Sequence, residues 1–372
     1  MRLLLTAYPL HGHVNGMLPL PRAARDAGHD VAFATGPDMA GHLAAHGLEA
    51  WGAGPTHAET AAAAPPSARW FALCAPSRAG DLLPRAAHWR PDLVVADEFD
   101  LAGPVVARVL GAPYVVHGLG VMPPMPIWEG LLPAIDDLHD AWDQPDGVAH
   151  VRAATYLEAV PPALRLPGDR MWHRTRPLRP EPGLPAAGET LPAALDALPH
   201  ARTVHLTLGT LFHRAPGVLA TALAGLRDLP VNVVATCGPD VDPASFGPQP
   251  DNVLVAPYLP HALLLPRCDL VVSQGGAGIM LGALAHGIPH LMLPQGADQF
   301  IDADVCTRAG AALAVAPDAF GAAAVRAAAA RLLAEPAFAA AAAALGAQVR
   351  GMPPAPLVLA DLADRAVTTS AP

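Results

Sequence analysis

The feature that most constrains the fold of this chain is a series of short apolar runs, each followed by a loop and a helical segment. In the first half of the chain these runs are RLLLTAY (2–8), DVAFAT (30–35), PDLVVAD (91–97) and APYVVHG (112–118). After residue 200 the series resumes with TVHLTLG (203–209), VNVVATCG (231–238), DNVLVA (251–256), DLVVSQ (269–274), PHLMLP (289–294) and AALAV (311–315). Strands of a parallel sheet are covered by helices on both faces and therefore read as unbroken apolar runs. The pattern predicts two doubly wound α/β domains.

The segments around these runs predict where the domains begin and end. The stretch 176–200 is dense in proline and glycine, as semi-rigid interdomain linkers are. We therefore expect a first domain over 1–178, a linker over 179–200, a second domain over 201–352, and a carboxyl-terminal helix over 353–372 that returns to the first domain.

Three segments predict local structure less directly. PLHGHVNG (9–16) is expected to be a loop, and the residues after it a helix that ends near Gly28. Residues 120–172 interrupt the strand pattern and predict a helical region. The alanine-rich stretch 322–344 predicts two helices broken at Pro336, because alanine is the best helix former.

Charge and residue usage exclude several classes of protein. The 372-residue chain is 52% hydrophobic and carries a net charge of -10, which argues against a nucleic-acid partner and against stable association with an anionic membrane. The sequence contains no lysine, so Schiff-base catalysis on lysine and the lysine-bearing phosphate loop are both excluded.

The cysteines and the amino terminus bear on the compartment. Four cysteines lie far apart with no C-x-x-C pair, which is typical of core residues in a reduced cytoplasmic protein. The opening MRLLLTAYPLHGH reads as a first strand and not as a signal peptide. No run of about 18 apolar residues is free of polar breaks, so we expect a soluble, cytoplasmic protein.

The most distinctive motif is SQGGAGIMLGALAHGIPHLMLPQGADQF (273–300). A buried strand delivers Gly275, Gly276 and Gly278 to its carboxyl end, where open parallel sheets bind their ligands. Glycines let backbone N–H groups approach a ligand, and the helix expected over 278–286 points its positive end there, so the turn suits a phosphate. The turn alone is equally compatible with a tight strand-to-helix connection that binds nothing.

This motif resembles the donor-binding signature of family 1 glycosyltransferases of the GT-B fold, most closely those that decorate actinobacterial natural products. Four further stretches resemble the same family in the same order: HGHVNGMLPLPRAARDAGHDVAFAT, PDLVVADEFDLAGPVVARVLGAPYV, LTLGT and VAPYLPHALLLPRCDLVVS. The resemblance implies two Rossmann-like domains facing across a cleft. It also implies inverting transfer of a hexose or deoxyhexose from a TDP- or UDP-sugar to a hydroxyl of an apolar natural product, with no metal and no cofactor. The oligomeric state stays open, with a homodimer as one candidate.

The resemblance assigns donor-binding roles in the second domain. Thr210 and the Gly275–Gly278 turn would hold the diphosphate, Tyr258 and Leu259 the base, and Asp298 and Gln299 the sugar hydroxyls. The implied donor-binding set is Thr210, Tyr258, Leu259, Gln274, Gly275, Gly276, Gly278, Asp298 and Gln299.

The chain departs from the family at three of its donor-site positions. Gln274 stands where the family usually has a histidine that contacts the diphosphate, Ile279 where a threonine is common, and Tyr258 where a tryptophan is common. A glutamine donates a neutral hydrogen bond but carries no charge, so we expect weaker stabilisation of the leaving group.

The catalytic residues implied by the resemblance lie in the first domain. His13 matches the family's general base, and a histidine with an ordinary pKa of about 6.5 can accept a proton from a hydroxyl at neutral pH. Asp97 ends a strand on the same edge of the sheet and matches the carboxylate that orients this base. The residues alone favour a loop histidine at position 13 and a helix cap at Asp97, and His11 is a second candidate base.

The acceptor wall is predicted in the region 120–172. Its candidate residues are Met122, Met125, Trp128 and Trp142, which suit a large apolar acceptor and are equally typical of a hydrophobic core. Two D-x-D strings, Asp240-Asp242 and Asp302-Asp304, are weak indications of a metal site because neither follows a strand directly.

Two alternatives to a glycosyltransferase stay open at this point. One is another enzyme of the same fold, such as a sugar-nucleotide epimerase. The other is a non-catalytic homologue that binds a ligand or partner, which Gln274 alone encourages.

Overall fold

The structure is a computed structural model, and it describes residues 1–62, 68–181, 184–210 and 217–369. The chain forms two compact units. The first comprises Met1–Val160, Leu166–Arg179 and Met352–Pro372, and the second Pro161–Arg165 and Pro180–Gly351. The last residues of the predicted carboxyl-terminal segment, 370–372, lie outside the described part.

The first unit is built on a seven-stranded sheet in which every neighbouring pair is parallel. Its strands are β1 (Arg2–Thr6), β2 (Asp30–Thr35), β3 (Glu49–Gly52), β4 (Leu93–Asp97), β5 (Tyr114–His117), β6 (Thr155–Glu158) and β7 (Arg174–Pro177). Their order across the sheet is β3-β2-β1-β4-β5-β6-β7. All five residues of β4 are buried, as expected for a strand covered on both faces.

Nine helices connect these strands along the described chain. They are α1 (His11–Met17), α2 (Pro19–Asp26), α3 (Ala40–Ala45), α4 (His57–Ala62), α5 (Ala68–Trp89), α6 (Ala102–Leu110), α7 (Met125–Glu129), α8 (Leu132–Asp140) and α9 (Gly147–Ala153). The carboxyl ends of β1 and β4 are neighbours in the sheet, so the loops that follow these two strands meet at one edge.

The second unit is a six-stranded parallel sheet with helices around it. Its strands are β8 (Thr203–Thr207), β9 (Asn232–Thr236), β10 (Val253–Ala256), β11 (Leu270–Ser273), β12 (His290–Met292) and β13 (Ala312–Ala314), in the order β10-β9-β8-β11-β12-β13. Its helices are α10 (Val218–Leu226), α11 (His261–Leu264), α12 (Ala277–Ala285), α13 (Gln299–Arg308), α14 (Ala322–Ala334) and α15 (Pro336–Gly351). The two alanine-rich helices meet at Glu335, next to the proline that was expected to break them.

The last helix, α16 (Ala355–Thr369), belongs to the first unit and packs against α2. The predicted linker 179–200 differs from expectation, because nearly all of it belongs to the second unit. Leu195 is buried there against Val234, Leu259 and Leu264. The leucines of this segment give it an apolar side to bury, which a free linker lacks.

Other differences concern short elements. Residues 11–17 form α1 where a loop was expected, because Val14 and Met17 are buried on one side of the helix. Strands β3, β6 and β7 were not predicted; each has only four residues, and β7 carries two arginines.

Within the described residues no single helix is long and apolar enough to cross a membrane. One pair of helical segments, Ala322–Ala334 and Pro336–Asp364, meets the length and composition test together, with a 73° bend between them.

Candidate functional site

The first unit brings His13 and Asp97 into contact. His13 lies on α1, the helix that follows β1, and Asp97 is the last residue of the neighbouring strand β4. The His13 Nδ1 atom is 3.0 Å from Asp97 Oδ2. The histidine side chain is 14% exposed and the aspartate side chain is fully buried, so only the histidine can reach a ligand.

Asp97 is held by three further hydrogen bonds from the backbone. Tyr8 N–H donates to Oδ2 at 2.9 Å, and the N–H groups of Phe99 and Asp100 donate to Oδ1 at 2.7 and 3.1 Å. Burial alone would raise the pKa of Asp97, but His13 and the N–H groups of Tyr8 and Phe99 lower it below its usual value. An ionised carboxylate only accepts hydrogen bonds, so Nδ1 of His13 carries a proton and Nε2 is the free basic nitrogen.

His11 has a different environment from His13. Its ring packs edge-on against His42 and His57, with 4.8 Å between ring centres in both cases. Burial and these two histidines lower the pKa of His11 to about 4. His11 is therefore a poor proton acceptor at neutral pH, and the geometry favours His13.

Aromatic rings lie near the imidazole of His13. The ring of Phe71 is centred 5.7 Å from the imidazole and that of Phe99 6.2 Å from it, and these two phenylalanines stack on each other. Trp128 stacks on Phe99 in turn. Sequence reasoning did not single out Phe71 or Phe99. The signal that was available for Phe99 is its position two residues after Asp97.

The predicted acceptor residues divide into two groups. Trp128 is 1% exposed and donates its indole N–H to Pro123 O, and Met122 is 6% exposed, so both belong to the hydrophobic core of the unit. Met125 and Trp142 are only partly buried against that core. An acceptor contact therefore stays a prediction for Met125 and Trp142, whereas Met122 and Trp128 have almost no surface to offer.

In the second unit, the glycine-rich turn lies at the carboxyl end of β11. Gly275 has φ +87°, a left-handed conformation that glycine adopts without strain, and its N–H donates to Ser273 Oγ at 2.9 Å. Gly276 caps α12 without any side-chain hydrogen bond, and a Cβ added at Gly278 would meet open space. The first N–H groups of α12 have no intrahelical acceptors, so this helix end can bind an anion.

Ser273 and His290 add a support for this turn that the sequence did not reveal. His290 lies on β12, beside β11, and its Nε2 is 2.7 Å from the Ser273 hydroxyl oxygen. Burial lowers the pKa of His290 to about 3, so this imidazole is neutral. The hydroxyl thus links a neutral buried histidine to the backbone of the turn.

Gln274 lies close to Gly209 and to Gly276 of the predicted donor site. A Cβ at Gly209 would be 2.2 Å from Gln274 Nε2, and one at Gly276 would be 3.0 Å from it. The glutamine is 7% exposed, and its Oε1 has no hydrogen-bond partner within the described residues. Thr210 follows Gly209 and is exposed. The structure therefore gathers the LGT loop, Gln274 and the glycine turn at one edge of the sheet.

The predicted base-binding residues have opposite exposures. Tyr258 is 60% exposed, whereas Leu259 is 4% exposed and packs into the core. Burial and the neighbouring Glu189 raise the pKa of Tyr258 to about 12, so its hydroxyl stays protonated. Because the Leu259 side chain packs into the core, only its backbone is left to contact a ligand.

The structure changes the interpretation of Gln299, which was predicted to contact the sugar hydroxyls. Its side-chain oxygen accepts the N–H groups of Gln295 at 2.8 Å and Gly296 at 3.2 Å, and the residue is 3% exposed. This oxygen therefore supports the loop and is not available to a sugar hydroxyl. Ala297, beside Asp298, has φ +54°, a conformation that costs a non-glycine residue about 1 kcal/mol or more.

The aspartates of the two D-x-D strings have different surroundings. Asp302 is fully buried on α13, whereas Asp304 pairs with Arg308 at the surface. Asp242 accepts the N–H of Ala244 at the start of a short 3-10 helix. Among the described residues, no group of three or more histidine, cysteine or acidic side chains has the geometry to hold a metal ion.

Comparisons with known proteins agree with this architecture. The sequence profile of the carboxyl-terminal domain of the family described as "Erythromycin biosynthesis protein CIII-like" matches residues 209–364, and that of its amino-terminal domain matches residues 67–131. The chain is 33% identical over 345 residues to the L-demethylnoviosyl transferase of Streptomyces niveus, covering 86% of each protein.

Two solved structures are similar to this one over nearly the whole chain. The glycosyltransferase VinC in complex with dTDP superposes with a TM-score of 0.83 at 27% identity, covering 99% of this chain and 100% of that one. The glycosyltransferase SnogD from Streptomyces nogalater superposes with a TM-score of 0.80 at 30% identity, covering 98% of this chain and 99% of that one.

Proposed function

Because the chain belongs to the erythromycin biosynthesis protein CIII-like family of glycosyltransferases, we propose that it moves a hexose or deoxyhexose from a nucleoside diphosphate sugar to a hydroxyl of an apolar natural product, with inversion at the anomeric carbon. The observation that carries the chemistry is the 3.0 Å contact between His13 and Asp97. It leaves the imidazole with one free basic nitrogen.

The proposed reaction is a single displacement. The acceptor hydroxyl gives its proton to His13 Nε2, and its oxygen forms a bond to the anomeric carbon of the donor sugar. The bond between that carbon and the diphosphate breaks, and the diphosphate leaves with the electron pair. Asp97 holds the imidazole in the right tautomer and stabilises the imidazolium that forms.

The second unit would bind the donor. The diphosphate would accept hydrogen bonds from the N–H groups of the Gly275–Gly278 turn and from Thr210, and the end of α12 would stabilise the charge that develops on the leaving group. Tyr258 and the backbone of Leu259 would contact the base. We propose TDP as the nucleotide carrier, since VinC was solved with dTDP, and UDP is the alternative to test beside it.

The acceptor proposal follows from the surroundings of His13. Phe71 and Phe99 make the approach to the imidazole apolar, and Met125 and Trp142 extend the partly exposed apolar surface of the same unit. A large apolar natural product would bury its surface there. We also propose that the enzyme is cytoplasmic and needs neither a metal nor a cofactor.

The experiment that tests this function measures product formation directly. The protein is incubated with a panel of TDP- and UDP-sugars and apolar polyhydroxylated acceptors, and glycoside formation and nucleotide release are followed by mass spectrometry. We expect glycoside only when both substrates are present. We also expect His13→Ala to lower turnover by about two to four orders of magnitude, the usual contribution of a general base, while nucleotide binding is retained.

The same assay separates the alternatives. Conversion of the sugar nucleotide without an acceptor would indicate an epimerase, and binding without turnover across the panel would indicate a non-catalytic homologue. Full activity of His13→Ala would show that another residue accepts the proton.

A further inference from the structure

The first unit buries a charged side chain that the proposed reaction does not use. Arg78 lies on α5 and is 0% exposed. Burial alone would lower the pKa of Arg78, but the carboxylate of Asp100 beside it raises the pKa above its usual value. The guanidinium is therefore a permanent buried cation.

The hydrogen bonds of Arg78 tie together the carboxyl ends of three strands. Its Nη2 donates to Ala7 O at 2.9 Å, after β1, and its Nη1 donates to Ala53 O at 3.0 Å, after β3. Its Nε and Nη2 donate to the two carboxylate oxygens of Asp100, after β4, at 3.3 and 2.9 Å. Gly54, with φ +72°, leaves the room this side chain needs, since a Cβ there would lie 2.2 Å from Arg78 Cγ.

Two short paths lead from this cation to Asp97. The peptide between Ala7 and Tyr8 accepts from Arg78 through its carbonyl and donates to Asp97 Oδ2 through its N–H, at 2.9 Å in both bonds. Asp100, which Arg78 holds by its side chain, donates its backbone N–H to Asp97 Oδ1 at 3.1 Å. Each oxygen of Asp97 is thus oriented by a backbone group that Arg78 holds in place.

We propose that Arg78 is a positioning residue for the His13–Asp97 pair, acting through the Ala7–Tyr8 peptide and through Asp100. The inference rests on the proposed role of His13 as the base. Arg78 keeps the carboxylate of Asp97 in line with His13 Nδ1, and its charge favours an ionised Asp97 in a site from which water is excluded. Without the cation, the carboxylate and the imidazole would shift together, so that the base is misplaced although the two groups stay in contact.

Three titratable groups near this pair, Tyr8, Cys74 and His117, stay in one state near neutral pH. Burial raises the pKa of Tyr8 and of Cys74, and burial lowers that of His117, which lies opposite Asp97 on β5, to about 4. A change in the acid limb of the kcat/KM profile therefore reports on the His13–Asp97 pair.

The test compares Arg78→Gln, Arg78→Lys and a control, Arg170→Gln. Arg170 also pairs with a buried carboxylate of the same unit, that of Glu158. We expect Arg78→Gln to lower kcat about 10- to 100-fold with an unchanged KM for the donor, since misplacing a catalytic group by about 1 Å costs that much. We also expect its acid limb to move up by about 0.5 to 1 pH unit, because removing a positive charge favours the protonated imidazole.

Arg78→Lys keeps the positive charge but loses the planar set of guanidinium N–H donors. We expect its kcat to fall by about 3- to 10-fold while its acid limb stays at the wild-type pH, which separates positioning from charge. Should Arg78→Gln fail to fold, as judged by thermal unfolding, Arg78→Lys decides alone.

The inference is overturned if the Arg78 variants, corrected for folded fraction, lose no more kcat than Arg170→Gln, or if the acid limb of folded Arg78→Gln does not move. Failure of the proposed function would look different, because the wild-type protein itself would then transfer no sugar.

Discussion

Replacing Gln274 by histidine tests how the second unit stabilises the diphosphate. Gln274 is 7% exposed, lies against Gly209 and Gly276, and has an amide oxygen without a partner in the described structure. The oxygen and nitrogen of an amide are interchanged by a flip, so this position can present an N–H to a phosphate. We expect Gln274→His to bind nucleoside diphosphate more tightly, and increasingly so as pH falls.

The magnitude follows from burial and charge. An imidazole at position 274 that is neutral in the free protein would take up a proton when the diphosphate binds. Exchanging a neutral for a charge-assisted hydrogen bond is worth about 1 kcal/mol, or roughly fivefold in Kd. Uptake of one proton limits the pH dependence to about tenfold per pH unit.

The assay is calorimetric titration of TDP into wild type, Gln274→His and Gln274→Met at pH 6 and pH 8. The Kd ratio of variant to wild type at each pH cancels the titration of the phosphate itself. Methionine keeps the length of the side chain without its hydrogen bonds and measures what the amide contributes. Weaker binding by Gln274→His at both pH values, or a ratio that is the same at both, would refute the charge argument.

Three further predictions concern the two units. Asp97→Asn should lower kcat/KM by about 10- to 100-fold, less than His13→Ala, because an amide still contacts the imidazole but cannot stabilise its charge; steady-state kinetics of both variants decide the order. EDTA should leave the rate of sugar transfer unchanged, and a loss restored by magnesium or manganese would contradict the backbone-based diphosphate site. Ser273→Ala should weaken TDP binding by about 1 kcal/mol, because the Gly275 N–H loses its acceptor; equal affinity by calorimetry would show that the turn holds itself.

The fold was accessible from the sequence where strands are long and buried on both faces. The expected strand 30–35 corresponds to β2, and the run ending at Asp97 corresponds to β4, because such strands must be apolar throughout. The edge strands β3 and β7 were missed because β3 has one buried residue and β7 has none, so their sequences carry polar and charged side chains. Helix α1 was missed because its glycines oppose a helix, and tertiary packing of Met17 decides the outcome.

The sequence predicts those parts of the candidate site that lie at the carboxyl ends of strands. Parallel topology carries His13 and Asp97 to one edge, and the structure brings them to 3.0 Å. The Gln299 side-chain oxygen accepts hydrogen bonds from its own loop, and this could not be predicted because it depends on the left-handed turn at Ala297. Backbone conformation of this kind leaves no pattern in the residue types.

The partners of Arg78 could not be predicted from the sequence, although its helical spacing indicates that it is buried. On α5 it follows Cys74 by four residues and precedes Leu82 by four, so it lies on the buried face of the helix. A lone arginine on such a face must find acceptors, because an unpaired buried charge is too costly to persist. Helical spacing alone therefore predicts that Arg78 has buried partners. Identifying them as Ala7 O, Ala53 O and Asp100 requires the sheet, since those residues are separated in sequence and meet only at the carboxyl ends of parallel strands.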